Sequence, residues 1–341
     1  MNLLFIIEAM WAGYFSKALN LPGRFSHNSI INNNEIWIIG GAEKPLFNNR
    51  TCAEDASGPI SLGNWKYNLN NNNWRYEYTP FKPRRAATLV NNKDKTYLHG
   101  GGIVDINIPF RSIPLSDMWE YDNGIWRQIH TNNPDIYNHA SIITDKGYIY
   151  SLGGLDNEGR SKYLYIYDGK IWRKQNTPFS LTGILGHTMN LVDNRLIYVI
   201  GGVFGNPTEK DEYNKDVWVY DIINNRWNVE CGSMQLQGHC SNVYNKIITF
   251  HGQDFNDDEI IVTGGFYPTN DEVNDEGATH LGGTTDGIFL FSTRKKTWKK
   301  IGVMDKPREF HSSVIIDNRL FIYGGYHIGN FWNDGEIIWL S

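Results

Sequence analysis

The sequence predicts an all-β chain folded as a ring of six four-stranded blades, a β-propeller, and three repeated marks predict it. An apolar strand ending in Gly-Gly occurs six times, at Gly40–Gly41, Gly100–Gly101, Gly153–Gly154, Gly201–Gly202, Gly264–Gly265 and Gly324–Gly325. His27, His139, His187 and His311 stand 13 or 14 residues before their pairs, Ala87 takes that place in the second copy, and His239 lies 25 residues ahead in the fifth. The third mark is an aromatic followed five or seven residues later by Trp: Tyr67/Trp74, Tyr121/Trp126, Tyr167/Trp172, Tyr220/Trp227 and Phe291/Trp298. Self-similarity at a period of about 50 residues is the mark of blades stacked around an axis.

Each copy reads as four short antiparallel strands. The first follows the histidine, as in "HNSII", "HASII" and "HSSVII". A tight turn rich in Asn, Asp and Gly ("NNNE", "TDKG", "VDNR", "IDNR") leads into the Gly-Gly strand, which is a hairpin signal. A variable loop precedes the third strand ("DMWEY", "YLYIY", "DVWVY", "GIFLF"), and a turn such as "DIINN" delivers the fourth strand with its Trp. The Gly pair suits a place where backbones crowd and no side chain fits. The blades fall at about 24–79, 80–131, 132–179, 180–232, 233–303 and 304–341. In the fifth copy the stretch "HCSNVYNKIITFHGQDFNDDEIIVTGG" is longer than its equivalents, and a lengthened first hairpin accommodates it best.

These marks together resemble the kelch repeat, from about Arg24 to Ser341. The resemblance implies a six-bladed kelch β-propeller acting as a binding module. The sixth copy runs only to its third strand, "GEIIWLS", because Trp339 aligns with Tyr220 and no Trp strand follows. An open third strand is an aggregation hazard. Trp11 precedes Arg24 much as Trp74 precedes Arg84, so a strand within residues 1–18 is expected to pair with Gly335–Ser341 and close the ring. The same segment lacks a basic start and is interrupted by Glu8, which argues against a secretory signal.

Composition narrows the function. The 341 residues are 40 % hydrophobic and 14 % aromatic, enough for a large β core. A net charge of −5 argues against non-specific nucleic-acid binding. Cys52, Cys231 and Cys240 are too few, and odd in number, for a disulfide framework, so a reducing compartment is expected, the cytoplasm or the nucleus. No run of about 18 apolar residues is present. A monomer without cofactors is expected.

Candidate binding residues lie in the loops between second and third strands and in the segments between blades, which share one face of the ring. The long loops of blades one, two, four and five, with the blade-six loop, carry Phe47, Phe110, Arg111, Phe204, Phe266, Tyr267, Phe331 and Trp332. Aromatics and Arg are the residues that interface hot spots favour. Arg24, Arg84 and Arg308 precede the first strands of three blades. In kelch adaptors of ubiquitin ligases, arginines at similar positions grip acidic peptides, and the resemblance implies such a grip here. The alternative is that each arginine caps its own loop. Partners are therefore expected to be a protein or an acidic peptide.

Kelch-type enzymes supply the competing class. The three cysteines offer no counterpart to the Cys–Tyr copper site of galactose oxidase, whereas the metal-free channel mouth of sialic-acid mutarotases remains open as an alternative. Plant specifier proteins hold ferrous iron with Glu-x3-Asp-x3-His. The loop of blade five contains Glu272, Glu276 and His280 at that spacing, with Glu in place of Asp and Phe266 directly after the Gly strand. The neighbouring Asn, Asp and Gly favour turns, so an acidic solvated loop without metal is expected.

Overall fold

The computed structural model describes residues 23–43, 63–93, 95–104, 112–204, 212–250, 253–268, 282–327 and 330–340. Over these residues the chain forms six radial antiparallel sheets. Blade one orders its strands Asn28–Asn32, Glu35–Ile39, Trp65–Asn68 and Asn73–Tyr76 from the axis outwards, and blades two to five repeat that order. Blade six contributes three strands, Ser312–Ile316, Arg319–Tyr323 and Gly335–Trp339. The segment 1–18 expected to supply its fourth lies outside the described residues. No α-helix occurs among the described residues, only a single 3-10 turn at Phe179–Leu181. The long fifth hairpin is one continuous ladder, from Cys240 paired with Thr263 to Phe250 paired with Gln253.

The apolar second strands explain where the core sits. Successive side chains of a strand point to opposite faces, and a strand covered on both faces reads as a continuous apolar run. In "EIWII", Ile36 and Ile38 enter a cluster with Val314, Phe321 and Tyr323 of blade six, while Trp37 and Ile39 pack with Leu89 and Leu98 of blade two. In "LIYVI", Ile197 and Val199 face blade three, and Tyr198 and Ile200 face blade five. Every junction between neighbouring blades has such a cluster, including that of blade six with blade one. The spaced aromatic and Trp are direct cross-strand partners, with ring centroids 4.9–5.4 Å apart in the five copies. Such pairs stabilise a sheet by about 0.2–1 kcal/mol each.

The Gly-Gly marks form a seam around the axis. The second glycine N–H of each pair donates to a carbonyl of the next blade: Gly41 to Arg84, Gly101 to Ile136, Gly154 to Ile184, Gly202 to Leu236, Gly265 to Arg308 and Gly325 to Arg24, at 2.6–3.0 Å. The last of these bonds ties blade six back to blade one. At Gly202, φ is +90° and a Cβ would stand 2.7 Å from the His187 Cβ and 2.9 Å from the Leu185 oxygen. Gly169 has a nearly equal φ of +89° but nothing within 4 Å. Gly169→Ala is therefore expected to cost about 1–2 kcal/mol, the left-handed penalty alone. Gly202→Ala is expected to cost at least about 2 kcal/mol more, because backbone and Cβ atoms cannot yield. Chemical unfolding of the two variants measures the difference, and equal losses would refute the seam.

Candidate functional site

The loop face is built from short strands that the blade pattern does not announce. Behind each Gly pair the chain turns back as a small ribbon: Gly102–Val104 with Ser112–Pro114, Leu155–Asp156 with Gly159–Arg160, Val203–Phe204 with Glu212–Tyr213, Phe266–Pro268 with Gly282–Thr284, and Tyr326–His327 with Asn330–Phe331. The segment entering the next strand bridges to its own blade's ribbon through Arg85, Tyr137, Leu185, Gln237 and Glu309, and in blade one Arg24–Phe25 pairs with Ala42–Glu43. Six small sheets thus crown one face and set the height of its side chains.

The three arginines are placed inside this crown. Arg24, Arg84 and Arg308 are 0–1 % exposed. Each donates through Nη1 to the first glycine carbonyl of its own blade, Gly40 at 3.3 Å, Gly100 at 2.9 Å and Gly324 at 2.8 Å. Arg84 grips Asp117 with both prongs at 2.5 and 2.7 Å, and Arg308 holds Asp334 at 2.9 Å. Arg24 donates to the Gly63 carbonyl at 2.6 Å, with Glu43 at 3.6 Å. Burial pushes the Asp117 carboxyl up, but the Arg84 fork outweighs it and holds it below the usual range. Asp334 is lowered in the same way, against its burial, by Lys306 and Arg308. All three guanidiniums are buried and donate to carbonyls of their own blades, the arrangement of the alternative in which each caps its own loop; Arg24 Nε and Nη2 make no hydrogen bond among the described residues. Arg84→Ala would strand the Asp117 charge and the Gly100 carbonyl, a loss of about 3–5 kcal/mol. A denaturation midpoint unchanged in that variant would contradict the clamp.

In the other blades an aliphatic residue occupies the arginine position, Ile136, Ile184 or Leu236, all buried. There Asn214 takes over part of the task, donating to the Gly201 carbonyl at 3.0 Å.

The predicted aromatics divide. Phe204 packs against the core between blades three and four, folded back onto the ring. Phe331 lies tilted against Phe25 and edge-on to Tyr326, at centroid distances of 5.3 and 5.2 Å. Trp332 donates its indole N–H to the Pro307 carbonyl at 3.2 Å, with the Lys306 ammonium 4.5 Å over its ring. Tyr267 is 40 % exposed and Phe266 half-buried. The sequence reading missed two tyrosines at the end of blade one: Tyr78 is 87 % exposed and lies edge-on to Tyr76, which lies edge-on to Trp65. Their signal was the "RYEY" that closes the first blade. Phe47, Phe110 and Arg111 lie outside the described residues, as do Glu272, Glu276 and His280. Among the described residues no group of three His, Cys, Asp or Glu is placed to hold a metal ion.

Two further features were not legible as site residues. Glu309, which precedes the channel-lining Phe310, is buried, and burial pushes its carboxyl up to about 8. The second is the channel itself, a cavity of about 150 Å³ lined from all six blades by the five repeat histidines and the residue before each inner strand's lead position, among them Ser26, Asn138 and Phe310.

Comparison with known proteins places this architecture. The profile of the Attractin/LZTR1 beta-propeller family matches residues 57–334. The chain belongs to that family. It is a kelch-repeat propeller, similar to human Kelch domain-containing protein 2, with 23 % identity over 231 residues, 65 % of this chain and 45 % of that protein. Alpha-scruin of Limulus polyphemus is 27 % identical over 155 residues, 44 % of this chain and 14 % of scruin. Putative protein tag-53 of Caenorhabditis elegans is 23 % identical over 336 residues, 90 % of this chain and 22 % of that protein. The chain thus spans less than half the length of these curated relatives. The solved structure of YjhT superposes with a TM-score of 0.67 at 16 % identity, covering 95 % of this chain and 97 % of that one, a likeness of fold. Among the described residues no helix of this family member is long and apolar enough to cross a membrane.

Proposed function

We propose that this propeller is a protein-interaction module that docks a protein partner on its loop face. The observation that carries the reading is the run of aromatic side chains across blades six and one on that face: Trp332, the Phe331–Tyr326–Phe25 cluster, and Tyr76 with the exposed Tyr78. Rigid aromatics contribute large contact area at little entropic cost, and interface hot spots are enriched in them. The buried arginine clamps and the bridged ribbons support this by holding the face rigid before a partner arrives, which reduces the ordering cost of association. An acidic peptide as the partner draws its support from Arg111 in the blade-two loop, since Arg24, Arg84 and Arg308 are buried and donate within the ring.

The test is affinity capture by the intact chain, compared with the variant Tyr78→Ala/Tyr267→Ala/Trp332→Ala and with Ile223→Ala in a turn of blade four on the opposite face. Tyr78 and Ile223 are 87 % and 73 % exposed, so the fold should tolerate their changes. The triple variant is expected to lose its partners at least tenfold while melting within a few degrees of the parent, and Ile223→Ala to retain them. Partners retained by the triple variant and lost by Ile223→Ala would move the site to the opposite face.

A further inference from the structure

The outer hairpins of blades one, two and four each turn through an asparagine with left-handed backbone: Asn72, Asn123 and Asn225, at φ of 57°, 50° and 49°. In blades one and four the last paired residues are Asn68 with Asn73 and Asp221 with Arg226, which leaves a four-residue turn. That length brings the asparagine to the tyrosine five positions earlier. Tyr67 donates its hydroxyl to Asn72 Oδ1 at 3.0 Å, and Tyr220 to Asn225 Oδ1 at 2.7 Å. Blade two closes on Asp122 with Ile125, so Asn123 and Gly124 alone make its turn. Their φ values of 50° and 85° are those of a type I′ turn, which demands left-handed backbone at both positions. Among the described residues no tyrosine holds the Asn123 side chain; its amide donates to the neighbouring Asp122 carboxylate at 2.8 Å.

Asn123-Gly124 is the single Asn-Gly pair in the sequence. A glycine after asparagine removes the side chain that would hinder ring closure between the two residues, and it permits the backbone rotation that closure needs. The space is open as well, since a Cβ on Gly124 would have nothing within 4 Å. Among the described residues the Gly124 N–H makes no backbone hydrogen bond. Asn123, Gly124 and Ile125 are exposed at the tip of the blade's outer hairpin, where local opening requires least. Blade three makes the contrast. Asp168-Gly169 occupies its outer turn, but the Asp168 carboxylate accepts from the Ile171 and Lys170 N–H groups at 3.0 Å and pairs with Arg173 at 2.9 Å. Those bonds hold it below the usual carboxylate range, and an ionised carboxylate carries no leaving group.

We propose that Asn123 is a site of spontaneous deamidation, a covalent mark that the folded chain acquires with age. The Gly124 nitrogen loses its proton to hydroxide and forms a bond to Asn123 Cγ. The Cγ–Nδ2 bond breaks, and the nitrogen takes a proton from water and leaves as ammonia, closing a succinimide. Water then adds across one of the two ring C–N bonds. Opening at Cγ yields aspartate, and opening at the backbone carbonyl carbon yields isoaspartate. Nothing is oxidised or reduced. Either product sets a carboxylate beside Asp122 in place of the amide that donated to it. Isoaspartate also adds one carbon to the backbone of a two-residue turn, against the register that pairs Asp122 with Ile125.

The test is peptide mapping by mass spectrometry of the full chain, kept folded for several weeks at pH 8 and at pH 6. Asn123 is expected to gain one mass unit and to split into aspartate and isoaspartate forms, while Asn72 and Asn225 stay unchanged. Conversion at pH 8 is expected to exceed that at pH 6 at least tenfold, because the attacking nitrogen must first lose its proton. Gly124→Ala is expected to slow the conversion at least tenfold. Asn123→Gln, whose closure needs a larger ring, is expected to abolish it, and it decides the matter where the alanine itself opens the hairpin. An Asn123 still intact at pH 8 would overturn the proposal. So would equal conversion of Asn72 or Asn225, or a mass gain at position 123 that survives in Asn123→Gln.

Discussion

Acidification from pH 7 to pH 5 is expected to lower the melting temperature by tens of degrees, with unfolding complete near pH 4. Six histidines, His27, His99, His139, His187, His239 and His311, are buried. Burial drives His99 and His239 down to about 4 and His187 and His311 to about 3, and it drives His27 and His139 well below their ordinary value. The folded state therefore keeps these rings neutral while the unfolded chain protonates them below about pH 6.5. Stability is complete above that value and falls as the pH drops through the window between the two pKa values. The slope is at most about 1.4 kcal/mol per pH unit for each histidine, and even at half that rate six rings together consume a stability of about 5–15 kcal/mol within two or three units. Glu309 works in the opposite direction, because its raised carboxyl favours the folded state as the pH falls from about 8, and burial raises Asp156 and Glu336 in the same sense, but these are three groups against six. Thermal melts at several pH values check the expectation; a flat profile between pH 7 and 5 would show that the rings are not the desolvated groups their burial makes them.

Removal of residues 1–18 is expected to lower the melting temperature by roughly 10 °C or more, each kcal/mol being about 2–4 °C for a domain of this order. Five blades have a fourth strand whose aromatic partner shields the third. In blade six Trp339 is 53 % exposed, and among the described residues no strand pairs with the outer edge of Gly335–Trp339. The expectation rests on Trp11 standing where the missing Trp belongs, so Trp11→Ala should reproduce part of the loss. The six-to-one seam, Gly325 N–H to the Arg24 carbonyl and the Ile36–Phe321–Tyr323 cluster, remains in the truncated chain and should keep the ring closed though weakened. A truncated chain that melts like the parent would remove residues 1–18 from the fold.

What the chain determined by itself is its repeat. Gly-Gly, the lead histidine and the spaced Trp are local demands: a φ near +60° to +97° at the Gly pairs, a ring that fits against that bare backbone, and an aromatic pair across one turn. Demands of that kind are written at fixed intervals and can be read without coordinates, as can the long fifth hairpin. The site was only partly legible, and for one physical reason. The fate of Arg24, Arg84 and Arg308 depends on Asp117, Asp334, Glu43 and glycine carbonyls 16 to 39 positions away in the chain, and no spacing rule says whether a guanidinium faces solvent or a carboxylate of its own blade. Phe204 turned inward and Tyr78 outward on the same grounds, since the packing of the ribbons, not the residue type, decides exposure. His187 carries the same lesson at closer range. Its mark in the repeat, 14 residues before its Gly pair, is the same as that of His139, and only the assembled ring gives His139 the Thr88 hydroxyl at 3.0 Å while both ring nitrogens of His187 stay without a hydrogen-bond partner among the described residues.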